Sequence, residues 1–560
     1  MRTVLKSIAV GLLLGHGAVA LSVPGDETLP YEGDRDNPTE NCFWKAVSSD
    51  RLWNYVYGDS NAVYQCSAYH LPEGAYLQMK GEFPHSRYFS VTLYGSEGGD
   101  ALLDQDMFPD AGSVNPFMYG ENRKARNRSY TLNLHGGFAP LEPADRPPNT
   151  LYHADPAHPF FGNFICTRIY VPDQGLEPFG GTQLPEMTVV MEDGTRLQGD
   201  EMCEAVDALN GGFSVPPQAI GFDIDEYLAL REGKRINPAL PYDRPVTHPA
   251  KNPPEFKAFF NADHQECIFF TPEEDCGNPI YNPDGVGLGN PLGRYVESYF
   301  DQGFGRVLVL RGKLPTTPQT WSGDRIVPDL DYDLRYFSLC PQESLATWRV
   351  GDCLFDEDLA VSVDQDGFYT AVFTRPSFRP RNATSECGFA WAPTPPAGDG
   401  ADDVNLWNMW IRFAIPSPNF PEAAQNVLTP GTEEQIMGDY YPRGEYMSVE
   451  EFEEMGCPRN PGKGPKPGRG RYLQYSFQEQ ALQCDQAMLV QRTGVRLDFM
   501  KVREPSNGCE TRPISDVIQA QASSRVDIRN TRTKTRLTLC PPWWDRPKPA
   551  ETTVRSPGSW

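Results

Sequence analysis

The sequence holds no CxxC pair, no CxxCH, no HExxH and no GxSxG. These absences remove a thioredoxin-like redox centre, covalently attached haem, a zincin protease and the nucleophile elbow of an α/β-hydrolase. No stretch approaches the roughly 18 consecutive apolar residues of a spanning helix, so no integral membrane segment is expected. Histidine is scarce, at eight in 560 residues. His153 and His158 share a Pro-rich loop and His85 precedes a strand, but none has metal-ligand spacing, so surface or turn roles are expected. Gly285-Val-Gly-Leu-Gly289 lies between prolines with no helix start behind it, which argues against a phosphate cradle. No cofactor-binding motif is evident.

Positive charge is also short. Lys and Arg number 50 against 75 Asp and Glu, a net of −25. The deficit is local: residues 457–560 carry 18 basic and 9 acidic side chains, a net of +9, which leaves −34 for the rest. An acidic body repels nucleic acid at long range, so no nucleic-acid partner is expected. The basic C-terminal part is expected to dock on the acidic body or on an external polyanion.

What is present points outside the cytoplasm. Arg2 and Lys6, the apolar run Ile8 to Leu14 and the small residues Ala18-Val19-Ala20 make a secretory signal over residues 1–20. Thirteen cysteines spread from Cys42 to Cys540 read as disulfides in an exported chain, with an odd one left over. The expected location is secreted or periplasmic. With 53 prolines and 50 glycines, many short strands and turns are favoured over long helices.

The strands recur. Ala75 to Lys80 and Tyr88 to Tyr94 alternate apolar and polar residues. The run Gly74 to Pro84 aligns without a gap on Gly305 to Pro315, and Tyr64 falls on Tyr295 at the same offset. Arg87-Tyr-Phe-Ser90 returns as Arg335-Tyr-Phe-Ser338, Tyr130-Thr131 as Tyr369-Thr370, and Arg168 to Pro172 as Arg412 to Pro416. Five matches in one order indicate a duplicated β module. Helices are expected over Asp50–Tyr57, Asp200–Leu209 and Asp223–Glu232. Capping boxes are expected at Thr432–Gln435 and Ser448–Glu451, with the second helix ending at Gly456. Arg525 to Cys540 alternates like a strand.

Arg311 to Pro318, Leu334 to Cys340, Asp366-Gly-Phe-Tyr-Thr370, Arg379 to Ala383 and Trp391 follow one another in a string that resembles an uncharacterised family of exported bacterial proteins. More distantly it is similar to the domain of unknown function 1214, a β-sandwich. The likeness covers roughly residues 280–420. It implies a jelly-roll-like sandwich and carries no established reaction.

The fold expected is therefore mainly β: two related jelly-roll-like β-sandwich modules, an α-rich insertion and a small C-terminal β-containing domain. The divisions are a signal peptide 1–20, an extended lead 21–41, a first module 42–198 and a partly helical connection 199–279. A second module 280–420, a helical segment 421–456, a basic linker 457–471 and a basic domain 472–560 follow.

Among candidate sites, Asp104, Asp106 and Asp110 cluster at a turn and could offer oxygens to Ca2+; Asp329, Asp331, Asp333, Asp364 and Asp366 are weaker echoes. The duplicated Arg87, Arg335, Arg168 and Arg412 are expected to pair with carboxylates inside the fold rather than bind an anion. Trp321, Trp391, Trp407 and Trp410 could face a ligand, although such rings usually fill cores. Asn127 and Asn382 head glycosylation sequons. The function expected is a ligand- or glycan-binding or envelope β-sandwich protein, taking a glycan or an apolar ligand. The alternative is a secreted carboxylate-dependent hydrolase with its cleft between the modules. The specific ligand or reaction and the oligomeric state leave no mark in the sequence.

Overall fold

The computed structural model describes residues 41–458 apart from 154–162, 207–249, 280–289, 322–331 and several shorter gaps, together with 510–513 and 536–539. The signal segment, the lead, and the helices expected at 50–57 and 223–232 lie wholly or largely outside the described residues. Among the described residues strand outweighs helix, 37% to 13%, and the strands form four open sheets of four or five strands beside one two-stranded pair.

The first module contains β1 (Ala46–Ser48), β2 (Ala62–Tyr69), β3 (Tyr76–Glu82), β4 (Ser86–Gly95), β5 (Gly98–Leu103), β6 (Ser129–His135), β7 (Thr150–Tyr152), β8 (Asn163–Pro172), β9 (Glu186–Val190) and β10 (Arg196–Gln198), then the helix α1 (Gly199–Ala205). One sheet runs β1-β2-β8-β4-β5 and the other β10-β9-β3-β6-β7. Alternation explains the second sheet. Leu77 and Met79 of β3, with Leu132 and Leu134 of β6, turn inward to Phe89, Val91 and Ile165 of the first, while Gln78 and Lys80 turn outward.

The second module contains β11 (Lys257–Ala258), β12 (Gly293–Asp301), β13 (Val307–Lys313), β14 (Leu334–Gln342), β15 (Leu354–Phe355), the helix α2 (Asp356–Ala360), β16 (Phe368–Thr374), β17 (Ala390–Pro393), β18 (Leu406–Pro416), the helix α3 (Glu433–Met437), β19 (Arg443–Met447) and the helix α4 (Val449–Glu454). Its sheets run β11-β12-β18-β14-β15 and β17-β16-β13-β19. Adding ten to each label of the first module's β1-to-β9 ladder reproduces this order, including the parallel pair β6–β7 in β16–β17. The module draws β11 and β19 from outside 280–420, because edge strands this short carry too few alternations to be read from sequence.

Duplication extends to register. Tyr64 lies opposite Arg168 and Tyr295 opposite Arg412. Gly81 lies opposite Tyr130 and Gly312 opposite Tyr369. In both, the tyrosine ring lies over the glycine: a Cβ there would stand 2.6 Å from the Tyr130 hydroxyl and 2.9 Å from that of Tyr369. Val171 and Ile415, each just before a proline, both take left-handed φ, +47° and +55°. That conformation costs a β-branched residue about 1–3 kcal/mol, and both modules keep it. Each residue donates its N–H to the start of the neighbouring antiparallel strand, Val171 to the Asn61 carbonyl at 2.8 Å and Ile415 to the Leu292 carbonyl at 3.0 Å.

The sheets β1-β2-β8-β4-β5 and β11-β12-β18-β14-β15 are inner layers. Strands β8, β12 and β14 are buried nearly throughout on both faces. Their outward residues meet at the module contact, where Ala62, Tyr88 and Tyr170 pack with Tyr336, Phe355 and Ala414. Tyr170 and Tyr336 make an edge contact at 5.0 Å.

Among the described residues, five disulfides join Cys42–Cys203, Cys66–Cys166, Cys267–Cys276, Cys340–Cys353 and Cys387–Cys457. Cys484, Cys509 and Cys540 lie outside the described residues. No helix among the described residues is long and apolar enough to cross a membrane. The Ser448–Glu451 capping box forms, with Glu451 N–H on the Ser448 hydroxyl at 3.1 Å. The Thr432 box does not: Thr432 sits at φ −104°, ψ 7°, away from the extended backbone of an N-cap, and its hydroxyl turns back to donate to the Thr429 carbonyl at 2.7 Å. The expected helix at 200–209 appears as α1, with 207–209 outside the described residues. A separate compact unit, Arg469–Trp560, contains the antiparallel pair β20 (Glu510–Pro513) and β21 (Arg536–Leu539).

Candidate functional site

The repeated arginines are exchanged between modules. Arg87 of β4 reaches the second module, holding both oxygens of Asp356 at 2.5 Å and Glu357 at 2.5 Å, with Nε on the Thr320 hydroxyl at 3.0 Å. Arg335 of β14 reaches back to Asp104 at 2.9 and 3.1 Å and to the Arg87 carbonyl at 2.9 Å. Each aspartate also accepts a backbone N–H from its own module, Asp104 from Phe89 at 2.7 Å and Asp356 from Phe337 at 3.1 Å. Burial pushes both carboxyls above their ordinary range, against the pull of the arginine each one holds. The expectation of internal pairing holds for these two arginines.

The other arginine pair differs between copies. Arg412 Nη2 donates to the carbonyls of Tyr57 and, at 2.8 Å, Gly58, while Nη1 lies 3.8 Å from the Asp59 carboxylate. Arg168 bonds the hydroxyls of Thr92, at 2.7 Å, and Tyr94. Asp59 is fully buried and accepts 2.8 Å bonds from Tyr336 and Ser338. Asn290 stands at the matching position, donating to Tyr88 at 3.1 Å. Both Asp59 and Asn290 donate their N–H to a tyrosine five residues on, at 3.0 and 3.1 Å. The 231-residue offset that aligns Tyr64 with Tyr295 could have found this pair.

The expected calcium residues separate. Asp104 is committed to Arg335, Asp106 is exposed, and Asp110 is half-exposed beyond Met107 and Phe108. Asp364 caps its own turn by accepting N–H from Asp366 and Phe368 at 2.9 and 3.0 Å, and pairs with Arg311. Asp333 accepts the Thr316 N–H at 2.9 Å; Asp329 and Asp331 lie outside the described residues. Among the described residues, Asp59, Cys340 and Cys353 converge as metal donors would, but the two sulfurs are bonded to each other. Trp391 and Trp407 are buried, and Trp321 and Trp410 half-buried. His153 is buried against the Tyr69 hydroxyl at 2.6 Å, and His85 rests on Arg128; His158 and residues 285–289 lie outside the described residues. Asn382 donates to the carbonyls of Phe452 and Gly456 at 3.0 and 2.7 Å. Asn127 is exposed, with its amide on the Gly112 carbonyl at 2.6 Å.

The outer sheets diverge most. In the second module the outward row Val309, Val372 and Trp391 is buried. Arg379 stacks on Trp391 at 4.0 Å, and the cap around Phe389 and Phe452 is stapled by Cys387–Cys457. The same three positions of the first module hold Gln78, Asn133 and Thr150, and both amides stay half-exposed. Next to them Tyr76, His135 and Tyr152 form a cross-strand stack, with centroids 4.7 and 5.7 Å apart. This amide row was not singled out in the sequence, where it shows only as the polar half of an alternation.

No family model and no curated protein matches the chain. Among solved structures, an uncharacterised protein from Burkholderia cenocepacia is similar at 12% identity and a TM-score of 0.37, over 72% of this chain and 81% of that one. A protein of Vibrio parahaemolyticus is similar at 9% identity and a TM-score of 0.30, over 70% of this chain and 92% of that one.

Proposed function

We propose that the chain is an exported binding protein of the cell envelope or exterior, with the outer face of its first module as the working surface. The observation that carries this reading is the contrast between copies: one face is apolar and capped, while the same face of the other is polar, with Gln78 and Asn133 half-exposed and Gln198 exposed above the buried Thr150 and Thr188. Export is supported by the signal-like first twenty residues together with the five disulfides, which suit an oxidising compartment. The module contact serves as scaffold, since Asp59, Asp104 and Asp356 are fully buried and engaged by arginine or hydroxyl partners. That commitment disfavours the hydrolase alternative, which needs carboxylates open to substrate.

The test compares retention of the purified protein on isolated envelope fractions with that of a Gln78→Val/Asn133→Val variant carrying the sister module's residues. Retention that falls in the variant is expected. Equal retention, or turnover in a hydrolase screen abolished by Asp59→Asn with folding intact, contradicts the reading.

A further inference from the structure

We infer that the open face of the first module recognises a neutral glycan; this rests on the binding role proposed above and names its ligand class. Registered rows cross the five strands of the sheet. The aromatic row sets Tyr76 beside His135 and Tyr152, and the next sets Gln198, Thr188, Gln78 and Asn133 side by side. Five strands at about 4.8 Å spacing make a face about 19 Å wide, room for a short oligosaccharide.

The polar groups are oriented before any ligand arrives. Arg196 donates to the Gln78 side-chain Oε1 at 2.6 Å, and Gln78 Nε2 donates on to Asn133 Oδ1 at 3.3 Å. Gln198 donates to the Thr188 hydroxyl at 2.9 Å. This chain of bonds ends on the Asn133 oxygen and leaves its NH2 group to donate outward. Amides held in one orientation lose little freedom on binding. The rings of the neighbouring row spend their faces on one another, so the half-exposed rims offer hydroxyl and imidazole hydrogen bonds rather than a greasy platform. Burial holds the His135 imidazole below its ordinary pKa, hence uncharged at neutral pH.

Other occupants fit less well. An apolar ligand would leave the outward Asn133 NH2 dry and unpaired, at about 1–3 kcal/mol. An anionic polymer would find no net positive patch, since Lys80 lies opposite Glu186 in register, Arg196 is engaged by Gln78, and the body is strongly acidic. A polyol supplies donors and acceptors without burying charge. The sister module sharpens the argument: where this lattice is apolar, the chain covers it with its own cap.

The experiment presents the purified protein to an array of neutral gluco-, xylo- and chito-oligosaccharides beside uronate and sulfated oligosaccharides. Binding to one neutral class is expected, weakened about tenfold or more by Gln78→Val/Asn133→Val and unchanged by the loop variant Phe108→Ser. Unchanged thermal unfolding of the double variant shows that it folds. Binding only to the acidic sugars, or to none while envelope retention still depends on the face, overturns the glycan class and leaves the binding reading standing. No face-dependent binding in either assay overturns both.

Discussion

Arg87 and Asp356 form a fully buried ion pair across the module contact, and Arg335 and Asp104 repeat it in the opposite direction. Each module supplies one arginine and one aspartate, as two copies of a symmetric dimer would. Removing one partner leaves a desolvated charge, whereas replacing both with apolar residues is far milder. The pairs are therefore expected to fix orientation more than to add stability.

Acid and alkali should act through different buried groups. Burial pushes the His153 pKa down to about 3 from 6.5. The folded state thus resists its proton, and stability is lost as pH falls between those values. His153→Gln should flatten the acid limb of a stability-against-pH curve. Glu297 behaves in the opposite sense, because burial raises its pKa well above 4.5. Its contribution is present below 4.5 and is lost as pH rises through the folded pKa. Glu297→Gln should gain stability at neutral pH and above, with the gain vanishing in acid; denaturant titrations across pH check both.

The two tyrosine-covered glycines should tolerate no side chain. Gly81→Ala and Gly312→Ala are each expected to cost about 1–3 kcal/mol through overpacking against Tyr130 and Tyr369. The control is a glycine with open space and ordinary backbone. Gly112 has no neighbour within 4 Å but sits at φ +84°, where an alanine is strained by the backbone alone. Gly136→Ala, with its nearest atom 3.9 Å away, is the neutral control in the same urea melts.

The cap on the second module should depend on its staple. Cys387→Ser/Cys457→Ser opens a loop of 70 residues, which the chain-entropy relation values at about 4 kcal/mol. The same variant is expected to expose Trp391, read as increased fluorescence quenching by acrylamide. Unchanged quenching would mean that Arg379 and Phe452 hold the cap without the disulfide.

The duplicated module was legible because its marks are local: the alternation of Ala75 to Lys80, and Arg-Tyr-Phe-Ser twice. The internal role of Arg87 and Arg335 was legible as a class, but their partners were not. Asp356 lies 269 residues from Arg87, and no spacing rule reaches that far. The calcium reading of Asp104 meets the same limit, since the arginine that takes up its carboxylate comes from the other module. The open face was hidden differently. Gln78 and Asn133 read as ordinary outward residues, and only coordinates show that their equivalents, Val309 and Val372, are covered.

The most direct test of the shared architecture is a pair of double-mutant cycles, Arg87→Met with Asp356→Leu and Arg335→Met with Asp104→Leu. Coupling of about 0.5–3 kcal/mol in both cycles is predicted, with each double variant more stable than its worse single. Additive effects in either cycle would contradict a reciprocal exchange between the two modules.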